Sequence, residues 1–328
     1  MKLHRWSFVV ALSLFAGSLP LEDSSGQVQA AAFPDKPIRL VVPFPPGGSN
    51  DVLGRYIGIK LTDRLGQQVV IDNRAGANGI IGADLAAQST PDGYTMLMVS
   101  TSWVMNAAVR RLPYDVEKSF DPIATVGSAP NSIVVYPGWG VNSVKELVAR
   151  ARAKPASVFY AATGIGGFNH FGGELFNKVA KVDLVMVPYK GGSPAMTDVM
   201  AGQIPVMFSS LTQVLPHVRS GRLKVIAIGA SKRSPAAPQL PTVIESGFPG
   251  YEMYVWWGFA APHGVPQPAL DKLRNDINAV LQEPESKKRL LADAAEPLTM
   301  TPADMRKMVR ADLKKWRDVA ATAGIKVQ

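Results

Sequence analysis

Apolar positions along the chain fall into short runs that alternate with amphipathic stretches from Ile38 to about Gly229. "IRLVVPF" reads as a strand, and "DVLGRYIGIKLTDRLG" as a helix with Leu53, Ile57, Leu61 and Leu65 on one stripe and Gly66 as its stop. "QVVIDN" predicts a strand, "GIIGADLAAQS" a helix and "YTMLMVST" a strand. "PIATVGSAPNSIVVYP" is a long extended stretch that breaks this rhythm and predicts a crossover between two lobes. A second series follows: helix "VKELVARARA", strand "VFYAAT", a helix over residues 168–181, strand "LVMVPY", helix "SPAMTDVMAG" and strand "IPVMFSS". "LKVIAIGASKRSPAAPQLPTV" predicts the return crossover, and the remainder reads as mostly helical. The alternation predicts an α/β fold, each lobe a mostly parallel sheet flanked by helices. The interruptions place one lobe over residues 33–131 and 230–328 and the other over 132–229.

The first residues break the pattern. "MKLHRW" is a basic n-region, "SFVVALSLFAGSL" an apolar h-region, and "VQAAA" offers a small-residue cleavage site near Ala30 to Ala32. This reads as a secretory signal peptide over residues 1–32, its apolar run too short to span a bilayer comfortably. The chain has 328 residues and no cysteine, which excludes disulfides, thiolate catalysis, cysteine-ligated metals and a lipobox anchor. An exported, unanchored chain points to the periplasm of a Gram-negative cell. Losing Lys2, Arg5, Glu22 and Asp23 leaves the net charge of +9 unchanged. That excess favours an anionic ligand. No basic stripe interleaved with aromatics accompanies it, so nucleic acid is not expected.

Two Gly-rich turns carry the candidate chemistry. In "VPFPPGGSNDVLGR" a strand opens into a helix through Gly47 and Gly48, with Ser49 where an N-cap would stand and Asn50 and Asp51 in the first turn. In "AATGIGGFNHFGGE" Thr163, Gly164, Gly166 and Gly167 open into a helix carrying Asn169 and His170. A helix N-terminus presents unpaired N–H donors and about half a positive charge, so each turn is a ready anion site. "VPFPPGGS" is echoed by "VPYKGGS" at residues 187–193, which suggests similar loops at the carboxyl ends of both sheets, where open α/β folds bind ligands.

Known catalytic patterns are missing. There is no G-x-x-x-x-G-K phosphate loop, and Gly164-x-Gly166-x-x-Asn169 lacks the third glycine of a dinucleotide fingerprint. Gly191-Gly192-Ser193-Pro194-Ala195 fails the nucleophile elbow at its last position. His170, His217 and His263 stand far apart without metal-ligand spacing. No catalytic residue, metal or cofactor is expected.

"FPDKPIRLVVPFPPGGSNDVLGR", "VIDNRAGANGIIGAD", "PDGYTMLMVSTS", "RLPYDVEKSFDPIATVG", "VPYKGGSPAMTDVMAGQIPVMF" and "WWGFAAPHGVP" together resemble the tripartite tricarboxylate transporter receptors, the Bug solute-binding proteins. The resemblance runs from about Phe33 to the C-terminus. It implies a two-lobed periplasmic binding protein fold, type II-like, that closes as a monomer on a small carboxylate. The receptor would then deliver the ligand to an ion-gradient-driven tripartite permease. It further implies that the ligand touches Phe44, Pro46, Gly47, Gly48, Ser49, Asn50 and Asp51 of the first loop and Thr163, Gly164, Gly166, Phe168, Asn169 and His170 of the second. Ala77, Asn78, Thr101, Ser102, Tyr189, Lys190 and Ser209 are implied as neighbours in the cleft.

One carboxylate held by three charge-assisted hydrogen bonds gains about 5–9 kcal/mol, against an association cost of about 4–15 kcal/mol. A second anchor is therefore expected. Ala162, Ile165, Phe168 and Phe171 stand where small polar residues would be expected in the family, and Trp103, Phe44, Trp256 and Trp257 are further candidates for a ring-binding wall. The expectation is an aromatic carboxylate such as terephthalate. The alternatives are an aliphatic acid such as citrate, succinate or glutamate, an exported α/β enzyme with Asp51 or His170 as general base, and a sensor on the same fold.

Overall fold

The computed structural model describes residues 33–325; the signal peptide expected over residues 1–32 lies outside them. Among the described residues, ten strands and ten α-helices follow in chain order. They are β1 (Ile38–Val42), α1 (Ser49–Leu65), β2 (Val69–Asn73), α2 (Ile80–Ala87), β3 (Thr95–Ser100), α3 (Thr101–Val109) and β4 (Phe120–Val135). Next come α4 (Val144–Ala153), β5 (Val158–Ala162), α5 (Phe168–Ala180), β6 (Leu184–Pro188), α6 (Gly192–Met200), β7 (Val206–Ser210), α7 (Leu211–Arg219) and β8 (Lys224–Ile228). The chain ends with β9 (Tyr254–Pro262), α8 (Gln267–Gln282), α9 (Pro284–Ala292), β10 (Glu296–Pro297) and α10 (Pro302–Ala323).

The amphipathic reading of α1 holds: Leu53, Ile57, Leu61 and Leu65 are all buried. Gly66 ends the helix at φ 65°, the left-handed conformation that a C-cap glycine adopts without a Cβ penalty.

Two parallel triplets form the ends of the sheet, β2-β1-β3 on one side and β7-β5-β6 on the other. Strands β9 and β4 join them in the order β2-β1-β3-β9-β4-β7-β5-β6. The sheet is therefore mixed, because β9 pairs antiparallel with β3 and β4, and β7 and β8 pair antiparallel with β4.

The stretch read as a crossover is a single 16-residue strand, β4. Its first part, to Pro130, pairs with β9; from Asn131 onward it pairs with β7 and β8. One strand thus belongs to both groups. The tail read as mostly helical contains β9 in the middle of the sheet. "YVWWGFAAP" is buried almost throughout, so its apolar run has no alternation to mark it as a strand.

The chain returns from the second group to the first at Met253, not within the stretch after Leu223. Residues 230–253 stay on the second group: Ile228 bridges to Thr242, and Val243 N–H donates to Ile228 O at 2.9 Å. A closed triangle of backbone bonds marks the crossing. Asn131 N–H donates to Met253 O (2.8 Å), Gly229 N–H to Asn131 O (2.7 Å) and Met253 N–H to Gly229 O (2.9 Å). The Tyr251 hydroxyl, wholly buried, donates to Asn131 Oδ1 at 2.8 Å and lies 3.2 Å from Gly172 O.

Candidate functional site

Strands β1, β3, β5, β6 and β7 each hand over to a helix at their carboxyl ends, and those five helices begin around one small cavity. Its walls are the starts of α1 (Gly48, Ser49, Asn50), α3 (Ser100, Ser102), α5 (Phe168, Asn169), α6 (Gly192, Ser193) and α7 (Ser210, Gln213), closed by Phe44, Pro45, Thr163, Ser209 and Val255. The cavity measures about 50 Å³, and none of the residues lining it is charged.

The N-caps explain its electrostatics. Gly48, Ser100, Gly167 and Gly191 place no side-chain acceptor on the helices they precede. Only α7 is capped, by Ser210 Oγ accepting from Gln213 N–H at 3.3 Å. Four helices thus lack an N-cap side-chain acceptor, with the Phe168 N–H of α5 meeting Ser102 Oγ at 3.4 Å instead, and their dipoles favour negative charge at this end. The arrangement can hold an anion without a cationic side chain.

A larger space of about 490 Å³ adjoins this cavity and shares Phe44, Pro45 and Thr163 with it. Its walls include Ala77, Asn78, Gly164, Ile165, Tyr189 and Gly191, and it carries the two cationic side chains of the region, Arg110 and Lys190. Ala77 (φ 45°) and Asn78 (φ 56°) hold left-handed backbone at this mouth. Asn78 is tied to Asn106 by two bonds of 2.9 Å, its Nδ2 donating to Asn106 Oδ1 and its backbone carbonyl accepting from Asn106 Nδ2.

The residues named from the sequence divide three ways. Phe44, Gly48, Ser49, Asn50, Ser102, Thr163, Phe168, Asn169 and Ser209 line the small cavity. Ala77, Asn78, Gly164, Tyr189 and Lys190 line the larger one. Pro46, Gly47, Asp51, Thr101, Gly166 and His170 line neither; they hold the loops in place. Asp51 accepts from Gly47 N–H (2.9 Å), Arg55 (3.0 Å) and Asn73 (2.8 Å). Burial pushes its pKa up, but bonds from Arg55, Gly47 and Asn73 outweigh that, and the carboxylate sits below its ordinary value.

His170 is buried and its Nδ1 accepts the Gly166 N–H at 3.1 Å, pinning the second loop from behind. Burial, aided by nearby Arg110, lowers its pKa to about 4. Thr101 Oγ1 accepts from Trp256 N–H at 2.9 Å. Pro46 O accepts from Ser193 Oγ at 3.0 Å, a contact between the two strand groups. Arg110 adds a second, donating to Ile165 O at 3.0 Å.

The expected aromatic wall shrinks to Phe44 and Phe168. Phe171 is fully buried, edge-on to Trp316 at 5.4 Å; Trp257 is core, and the Trp256 indole donates to Asp312 at 2.7 Å. Trp103 meets Phe120 edge-to-face at 5.4 Å and is not among the residues lining either space. These rings lie on the inward faces of α5, β9 and α3, where core packing claims them.

Sequence reasoning missed Ser100, Gly192, Ser193, Ser210, Gln213 and Val255 in the small cavity, and Arg110 at the mouth. Gly192 and Ser193 were within sight in the "GGS" echo. Gln213 had one available signal, the Ser210-x-x-Gln213 spacing of a capping box.

The sequence profile described as "Tripartite tricarboxylate transporter family receptor" matches residues 53–325. Protein BugT of Bordetella pertussis (strain Tohama I) is 36% identical over 304 residues, covering 92% of this chain and 93% of that protein. A solved R. palustris protein, Rpa4515 with adipate, superposes with TM-score 0.87 at 33% identity over 90% of this chain and 99% of its own. The periplasmic binding protein BugD superposes with TM-score 0.86 at 32% identity, over 90% and 100%. No helix among the described residues is long and apolar enough to cross a membrane. The chain therefore belongs to the tripartite tricarboxylate transporter receptor family, and is a two-lobed solute-binding receptor of the Bug type, not an enzyme.

Proposed function

We propose that the receptor binds a dicarboxylate lengthwise, one carboxylate in the small cavity and the other end in the larger space beside Arg110 and Lys190. The observation that carries this reading is the meeting of five helix N-termini around a cavity without charged side chains, next to a mouth that has two. At about 50 Å³ the inner cavity is well below the ~150 Å³ that holds a benzene ring, so it suits a carboxylate and leaves the ligand's body outside. The second carboxylate supplies the extra anchor that the affinity arithmetic demands.

Phe44, shared by the two spaces, and Phe168, in the wall of the inner one, flank the ligand atoms next to the inner carboxylate, which favours a flat ring, with terephthalate the sharpest candidate. An aliphatic diacid is the second reading, favoured by the adipate in the R. palustris relative. The residues that touch it are those lining the two spaces; Asp51, Gly166 and His170 hold the loops that touch it. The lobes meet along the Asn131–Gly229–Met253 triangle, which acts as the hinge. Residues 1–32 export the chain to the periplasm, where the monomeric, ligand-closed form docks on a tripartite permease.

Calorimetric titration of terephthalate and adipate into wild type and Phe168→Ser tests the ring. The ring reading predicts tighter binding of terephthalate, and a loss of about 0.5–1.5 kcal/mol of it in the variant. Tighter adipate binding, unmoved by the substitution, gives the aliphatic reading. Binding of neither acid rejects the dicarboxylate.

A further inference from the structure

We infer that Gln213 contacts the ligand directly, its side-chain amide N–H donating to the inner carboxylate and selecting an acid over the corresponding amide. The inference rests on the carboxylate reading above. Gln213 is the third residue of α7, and its backbone N–H is taken by the Ser210 N-cap. In a capping box the side chain at this position turns back to the N-cap amide. Here the Gln213 Oε1 accepts from Ser209 Oγ at 3.2 Å, which fixes the amide plane and leaves its nitrogen to the cavity that Gln213 lines.

The Gln213 Nε2 is buried and has no hydrogen-bond partner among the described residues. The other amides of the cavity wall are engaged: Asn169 Nδ2 donates to Phe208 O, and Asn50 Nδ2 lies 3.4 Å from Ser100 Oγ. A buried amide donor left unpaired carries a standing cost that an entering anionic acceptor removes. The amide packs against Gly192, where a Cβ would come within 2.6 Å of that nitrogen, so only a glycine leaves it its place in the wall. A carboxylate oxygen satisfies an amide donor, whereas a ligand carboxamide presents N–H groups of its own to a wall built to donate.

The test titrates terephthalate, adipate and the uncharged adipamide into the mature chain and into Gln213→Glu and Gln213→Ala. In Gln213→Glu, nearly the same shape with donor replaced by anion, the tighter-binding acid should weaken by at least about 100-fold near neutral pH. Gln213→Ala should weaken it by about 10- to 100-fold. The preference for adipate over adipamide should contract at least about tenfold in Gln213→Glu, a change that a merely structural role would not produce. Affinities within about threefold of wild type in both variants would overturn the contact while leaving the carboxylate reading intact. So would a loss in Gln213→Ala with an unchanged acid-to-amide preference in Gln213→Glu. Failure of wild type to bind either acid would remove the carboxylate reading and this inference with it.

Discussion

At the residue scale, the two side chains that looked most like catalysts serve the loops. Asp51 is spent on Gly47 N–H, Arg55 and Asn73, and His170 on Gly166 N–H. The His170 contribution has a defined pH signature. Unfolded, the imidazole takes up a proton near pH 6.5; folded, burial delays this to about 4. Between those values the unfolded chain binds more protons, so stability rises with pH and is lost as pH falls through the window. At about 1.4 kcal/mol per pKa unit the loss reaches about 3 kcal/mol at its acid end. His170→Gln keeps an acceptor for Gly166 but does not titrate. Urea unfolding at about pH 7 and about pH 4.5 should therefore show wild type losing about 2 kcal/mol more than the variant. Equal losses would contradict this account of His170. Residue identities made both Gly-rich turns readable, because glycine and N-cap chemistry act locally. Membership of the aromatic wall was not readable, since whether Phe171 or Trp257 faces a ligand or the core depends on partners such as Trp316, far away in sequence.

At the scale of elements, helices with a polar face and strands ended by glycine could be read directly: α1, α4 and α5 lie close to their expected places. The misses share one physical cause. Both β9 and α3 are buried almost throughout, so neither leaves a polar period in the sequence. With β9 unseen, β4 could only look like a linker; paired, it is the strand that both groups share. The crossing beside it is held by the Tyr251 hydroxyl on Asn131 Oδ1. Tyr251→Phe leaves that buried amide without its acceptor bond, and Asn131 Nδ2 already has no partner among the described residues. The expected cost is about 1–3 kcal/mol in chemical denaturation. A change inside about 0.5 kcal/mol would mean that the backbone triangle alone holds the crossing.

At the scale of the whole molecule, the fold places the carboxyl ends of five strands on one cleft, and the two strand groups touch across it. Ser193 reaches Pro46 O, Arg110 reaches Ile165 O, and Phe168 N–H lies 3.4 Å from Ser102 Oγ. These contacts hold the two groups together in this form, and on the proposed reading a ligand touching both favours their approach by its own preference for it. Charge is then graded along the cleft, from helix dipoles inside to Arg110 and Lys190 outside. That gradient is the central claim, and thermal unfolding of a chain of residues 33–328 against matched ligands tests it most directly. The set is terephthalate, adipate, citrate, succinate, benzoate and the uncharged terephthalamide. A dicarboxylate at a hundred times its dissociation constant should add about 2.7 kcal/mol, a rise of several degrees at most for this size, with benzoate giving less and the diamide nothing. An equal rise with terephthalamide, or none with any acid, would contradict an anion held by helix N-termini.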